Sequence, residues 1–271
     1  MSDMAAYGGK NWSRLWQKLE QEGNIGIDYV INPYLYSEIA KFLIKHPSSK
    51  VVDFGAGTNI LAIQFMYGYQ AVVPGLKTIK DIQKARDHVS VFMGLEGSRE
   101  LVTQAQRYLR DLGYPPNIKA QQFEIAKGKI TPFKAGSVAL TISRNFLMHL
   151  EAQELEYHLG EVYKVLRSEG RYITAFLNPD YEQDKFLKQQ GSKHRLVTNE
   201  KYSFTHGAHG EHGTFYHYWK DIKTYEVLFK QYFIIRKKIK CIPIIDRYKK
   251  EYPRYYKKNL PLAFVYILEK R

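Results

Sequence analysis

The residues best placed to do chemistry are a carboxylate and two glycines, Asp53-Phe54-Gly55-Ala56-Gly57, set between the β-branched pair Val51-Val52 and Thr58-Asn59-Ile60-Leu61. Glycines there let the backbone turn tightly and approach a ligand with no Cβ in the way. The β-branched pair suits a buried strand, and Thr58 or Asn59 can cap a following helix. The turn is neither G-x-G-x-x-G nor G-x-x-x-x-G-K-[ST], which excludes the usual dinucleotide and phosphate loops. An acid just ahead of it suits a ligand carrying positive charge at that point.

A second carboxylate, Glu96, closes the apolar run 89–95 and precedes Gly97-Ser98 and a helical segment, 99–112, that ends at Gly113 and Pro115-Pro116. In nucleoside-binding α/β folds an acid at the end of the second strand takes the ribose hydroxyls, about 20 residues beyond the turn. Here the spacing is nearly twice that, because residues 67–88 read as an insertion.

Histidine supplies the third group. Four of the nine, His206, His209, His212 and His217, fall in one glycine-rich stretch with Glu211. Imidazole exchanges protons near neutral pH, so His149, His206 and His217 are candidate general bases. The same density could fill a zinc shell. The intervening glycines hold no fixed geometry, however, and the spacing is not H-E-x-x-H, so no metal is expected and the stretch reads as a substrate lid hinged at Gly207, Gly210 and Gly213.

The elements that must position these groups alternate. Strands are expected at 51–54, 89–95, 118–123 and 171–177, with a turn at 167–170, a helix over 222–232, an edge strand over 234–242 and a last strand over 262–268. A helix follows Pro33, and Trp12, Leu15, Trp16 and Leu19 form an amphipathic stripe before it. With 271 residues and 44% hydrophobic content, this is one α/β domain with a core of its own. The expected parts are an N-terminal helical cap (1–46), a cofactor-binding core (47–178), a lid and substrate insertion (179–220) and a C-terminal helix with strands (221–271). No apolar run reaches membrane-spanning length and the N-terminus lacks a signal-peptide pattern, so a cytoplasmic location is expected. A single cysteine, Cys241, excludes an internal disulfide.

The turn at Asp53-x-Gly55-x-Gly57 resembles motif I of the class I S-adenosylmethionine-dependent methyltransferases, with Asn59 where the third glycine usually stands. The run from Thr131-Pro132-Phe133 through Ser143 to Leu147-Met148-His149-Leu150 is similar to that family's fourth strand and turn, and Val165 to Gly170 to its passage before the fifth strand. The resemblance implies a Rossmann-like, doubly wound, seven-stranded sheet with a C-terminal antiparallel hairpin. It implies S-adenosylmethionine as cofactor, held by Asp53, Gly55, Ala56, Gly57 and Asn59 at the turn, by Glu96 and Gly97 at the ribose, by Glu124 and Ile125 at the adenine, and by Ser143 and Asn145 after strand four. Tyr29, Phe146, His209 and Tyr216 are then expected to frame the methyl acceptor.

The acceptor is narrowed by absences. Ser143-Arg144-Asn145-Phe146 replaces the N-P-P-Y or D-P-P-Y of amino-nitrogen base methylation, and Cys241 is misplaced for carbon-five pyrimidine methylation. A small molecule methylated on oxygen or nitrogen is the leading expectation. A net charge of +14, with lysines and tyrosines interleaved over 247–258, makes RNA the rival. A non-catalytic, cofactor-binding partner subunit is a further alternative.

Overall fold

The computed structural model describes residues 30–68, 79–124, 131–190, 194–208, 211–242 and 253–271. Tyr29, Trp12, Trp16, Ile125 and His209 lie outside the described residues. Seven strands form one sheet in the order β3-β2-β1-β4-β5-β9-β8. They are β1 (Ser49–Phe54), β2 (Val89–Glu96), β3 (Ile118–Gln122), β4 (Val138–Arg144), β5 (Leu166–Leu177), β8 (Phe233–Cys241) and β9 (Ala263–Lys270). The first five pair in parallel, whereas β9 runs antiparallel to both β5 and β8. The reversal between β1 and β4 opens a crevice at the carboxyl ends of these strands, where open α/β sheets bind ligands.

Alternation along β1 divides the core. Val51 joins the layer that contains α1 (Asn32–Leu43), while Val52 and Phe54 join the layer containing α5 (Ala152–Val165) and α7 (Ile222–Tyr232). α1 starts with Pro33 in its first turn and buries Leu35, Ile39 and Leu43 at helical spacing. α5 is set by a reciprocal capping box in which Glu151 and Glu154 take each other's backbone amides. Asp53 shares the parity of Val51 and therefore points toward the α1 side.

Between β1 and β2 the chain forms α2 (Ile60–Ile63), a π-turn over Gln64–Gly68 and α3 (Ile79–Asp87). The segment expected as an insertion thus includes a helix, which accounts for the long spacing from the glycine turn to Glu96. After β2 come α4 (Arg99–Asp111), capped by Ser98 Oγ accepting from the Leu101 amide, and then β3. The expected turn at 167–170 lies inside β5 as an irregularity in register, with Glu169 at φ 61°.

The stretch expected as a glycine-hinged lid is instead largely a hairpin. β6 (Lys201–Ala208) pairs antiparallel with β7 (Glu211–Tyr218), separate from the main sheet. The physical reason lies in a cross-strand pair, since Tyr202 and His217 stand opposite each other and both are buried. α6 (Pro179–Gln190) precedes the hairpin, and Trp219 Nε1 donates to Pro179 O at 3.1 Å, tying the two together. A short helix, α8 (Pro253–Lys257), packs Tyr255 on α6 through a 2.7 Å bond to Asp184. No helix among the described residues is long and apolar enough to cross a membrane.

Candidate active site

The turn after β1 carries its strain where the sequence allows it. Gly55 (φ 70°), Gly57 (φ 57°) and Asn59 (φ 63°) are all left-handed. Asparagine is one of the few non-glycine residues that visits this region routinely, so it can replace a third glycine. Its side chain turns inward: Nδ2 donates to Lys119 O at 3.1 Å, and Oδ1 sits where a Cβ on Gly94 would be. The Asn59 side chain therefore lies against both β2 and β3.

Asp53 ends up buried, with Oδ1 lacking a hydrogen-bond partner among the described residues. Burial pushes its carboxyl up to about 7; Arg144 opposes this and Glu96 adds to it. Arg144 is itself held by Asn32 Oδ1 at 3.1 Å, so α1 orients the cation beside the turn. Glu96 lies across the crevice. Its Oε2 accepts from the Gly57 amide at 2.8 Å and its Oε1 from the Ser98 amide at 2.9 Å. Burial raises this carboxyl too, countered by the amides of Ser98, Gly57 and Gly97. The Phe123 amide donates to Glu96 O at 2.9 Å, which brings the segment bearing Glu124 beside the same acid.

β4 delivers the other wall. Asn145 adopts φ 53°, donates its amide to Ala175 O at 2.7 Å, and leaves Oδ1 buried without a partner among the described residues. Ser143 is turned away. Its Oγ shares short bonds with Tyr172 OH (2.5 Å) and Thr174 Oγ1 (2.9 Å), while Tyr172 OH also meets His158 Nε2 at 3.1 Å. Ser143 is thus part of a buried hydroxyl network rather than the cofactor contact expected of it. Phe146 lies over the turn, so that a Cβ on Gly55 would stand 2.4 Å from its ring.

Of the three histidines expected to handle protons, two come together. His149 and His217 rings meet edge to face at 4.7 Å. His149 Nδ1 lies 3.1 Å from Tyr216 O, its imidazole also faces the Asn145 carbonyl, and burial, then the charge of His217, pulls it down to about 3. His217 is paired with Glu182 of α6 at 2.8 Å. Tyr216 supplies the carbonyl to His149 and has Lys201 over its ring at 4.5 Å. His206 pairs in register with Gly213 on the hairpin, well up β6 from the Tyr202–His217 pair. Glu182, Tyr202 and Lys220 were not singled out in the sequence, where nothing marks a lone acid on a helix as the partner of a distant histidine. Among the described residues no cluster of three His, Cys, Asp or Glu side chains is arranged to hold a metal ion.

Residues 75–174 match the family model described as a methyltransferase domain. The match runs from before β2 through most of β5 and leaves the glycine turn outside it. No curated protein matches the sequence. Solved structures resemble the fold along most of its length. One is described as an S-adenosylmethionine dependent methyltransferase from Listeria monocytogenes (TM-score 0.57, 19% identity, covering 87% of this chain and 97% of that one). Another is geranyl diphosphate C-methyltransferase from Streptomyces coelicolor A3(2), solved with Mg2+, geranyl diphosphate and S-adenosyl-L-homocysteine (TM-score 0.54, 17% identity, 88% and 80% covered). A third is a chain from the Haloferax volcanii complex of the Trm112 methyltransferase activator with a methyltransferase (TM-score 0.58, 14% identity, 96% and 94% covered).

Sheet order and crevice are those of a Rossmann-like α/β fold, and the methyltransferase-domain match lies within it. The matched domain, together with the likeness to solved S-adenosylmethionine-dependent methyltransferases, supports an enzyme of that kind with S-adenosylmethionine as its cofactor. The crevice fits that group chemically: an orphaned buried carboxylate oxygen suits an ammonium, and an acid at the end of β2 retains lone pairs for hydroxyls.

Glu96→Ala is expected to weaken S-adenosylhomocysteine binding by about 1–3 kcal/mol, because it removes an acceptor and also orphans the Gly57 and Ser98 amides. Calorimetry against the wild type checks this; an unchanged dissociation constant rules out a role at the ribose.

Proposed function

We propose that the protein transfers a methyl group to an oxygen or nitrogen of a small molecule. Asp53, Gly55, Ala56 and Gly57 hold the methionine end of the cofactor, Glu96 and Gly97 the ribose, the Glu124 segment the adenine, and Asn145 the wall beside them. When bound, S-adenosylmethionine supplies an already activated methyl carbon, so the protein's tasks are alignment, exclusion of water and removal of the acceptor's proton. Phe146 and Tyr216 frame the acceptor.

The observation that carries the small-molecule reading is the docking of the β6–β7 hairpin. It is pinned by His149–Tyr216 O and by Glu182–His217 near the carboxyl ends of β4 and β5, which supports an enclosed acceptor space. The basic run of β8 supports the same reading. Arg236 pairs with Glu269, Lys237 with Glu38 and Lys238 with Glu226, so much of its charge is answered within the fold.

Methyl-labelled S-adenosylmethionine incubated separately with a small-molecule cell extract and with total RNA tests the proposal. Label is expected in the small-molecule fraction. RNA binding is expected to be weak at low salt, with a shallow dependence on salt concentration. Label in RNA, with a steep salt slope that flattens when Lys249, Lys250, Lys257 and Lys258 become alanine, establishes the RNA reading instead. The likeness to a chain from the Trm112 complex supports a parallel assay with a small activator subunit added.

A further inference from the structure

Glu182 stands in the first turn of α6, its amide donating to Asn178 O at 3.0 Å, with a side chain only 5% exposed. A carboxylate in that position needs donors. Two among the described residues bond to it, both on Oε1: Tyr202 OH at 2.9 Å and His217 Nδ1 at 2.8 Å. An ionised carboxylate accepts only, so His217 Nδ1 carries a hydrogen, and Nε2 is the atom through which this ring gains or loses a proton. Tyr202 OH also lies 3.2 Å from His217 Nδ1, closing a three-membered cluster that spans α6, β6 and β7.

The surroundings assign different work to the two histidines. His149 faces two carbonyls, Tyr216 O and Asn145 O, and its charged neighbours include His217 and Lys220. His217 has an acid behind it, and the edge-to-face contact sets it against His149 beside the end of β4. Glu182 in turn is faced by Lys185 and by Lys220, whose Nζ donates to Leu150 O and to Tyr218 O. Both cations act on Glu182 through space as counter-charges. A base oriented by a third group, itself fixed by other bonds, is the arrangement that proton abstraction requires.

We propose that Glu182 and His217 form the proton-accepting dyad for the methyl acceptor, with Glu182 and Tyr202 as positioning residues and His149 as a neutral wall. The proton leaving the acceptor's O–H or N–H goes to His217 Nε2, the bonding pair stays on the acceptor atom, and Nδ1–H remains on Glu182. This reading rests on the methyl-transfer function proposed above and names its base.

Two readouts on the full chain test it. The first needs no acceptor: 15N spectra of histidine-labelled protein, assigned with His149→Gln and His217→Gln, are expected to show His217 Nδ1 protonated at pH 8 in the wild type, and to show its ring shifts moved by several ppm in Glu182→Gln. An unprotonated Nδ1, or shifts unmoved by Glu182→Gln, overturns the dyad whether or not methyl transfer is found. The second uses the labelled small-molecule fraction as acceptor. His217→Gln and Glu182→Gln are expected to lower kcat about 10²-fold or more, with S-adenosylhomocysteine affinity within twofold of wild type, whereas His149→Gln stays within about tenfold. Should His217→Gln fail to fold, Glu182→Gln and Tyr202→Phe carry the kinetic arm. A kcat loss in His149→Gln that exceeds that of Glu182→Gln overturns the proposal, and absence of any small-molecule label with a protonated Nδ1 overturns the function while leaving the dyad's geometry standing.

Discussion

Asp53→Asn is expected to raise the melting temperature at pH 8 while abolishing tight cofactor binding. Burial moves this carboxyl from its ordinary 3.8 to about 7. Below 3.8 it is protonated in both the folded and unfolded chain and costs nothing. As pH rises through that window the unfolded chain ionises first, so the folded state loses stability progressively, and the full cost is present above 7. At 1.36 kcal/mol per pH unit the gap corresponds to about 4 kcal/mol, or on the order of 10 °C in a chain of this size. Asparagine keeps the shape and removes the charge, so the gain should be present at pH 8 and fade toward pH 4. Cofactor affinity should fall by about 1.5–3 kcal/mol, the worth of a hydrogen bond to a charged group. Wild-type affinity for S-adenosylhomocysteine should also rise between pH 6 and 8, and that of Asp53→Asn should not. Scanning fluorimetry and calorimetry across this range measure both; a variant that melts lower than wild type at pH 8 shows that Asp53 is paired in the folded protein rather than held in readiness for a cation.

What was legible in the sequence follows the physics of local signals. Strands buried in the middle of a sheet write themselves as apolar runs, and β1, β2 and β9 were all readable in that form. Helix α7 was readable end to end, since its apolar spacing is bounded by Asp221, whose side chain accepts from the Thr224 amide. The acid, the glycines and Glu96 were readable because their chemistry is fixed by position along the chain. The side-chain placements of Asn59 and Ser143 were not, since they depend on Gly94, Lys119, Tyr172 and Thr174, which are remote in sequence. The hairpin was obscured by its glycines, which signal a loop, while the pairing of Tyr202 with His217 that determines the outcome is a cross-strand contact. Glu182 was beyond reach for the same reason: its partner lies 35 residues away.

Gly55→Ala is expected to destabilise the fold and to do so through Phe146. Gly55 is left-handed at φ 70°, which costs an alanine about 1–2 kcal/mol. Its Cβ would also stand 2.4 and 2.7 Å from Phe146 ring carbons and 3.0 Å from Phe146 Cβ. A ring could swing aside; a Cβ is tied to the backbone and cannot. Overpacking of this kind adds about 1–3 kcal/mol, so the single variant should lose about 2–5 kcal/mol in denaturant unfolding. Phe146→Ala alone should also cost stability, since the ring packs on His158 at 5.3 Å. Together the two should cost less than their sum by about 1 kcal/mol or more, because the second removes the ring contacts that the first creates, leaving the strain of the turn and the crowding at residue 146's own Cβ. Cofactor affinity should fall in the single Gly55→Ala variant and recover in part in the double, as the turn is relieved of the ring. Strict additivity in stability would mean that Phe146 does not confine the turn, and the requirement for glycine would then rest on its backbone conformation alone.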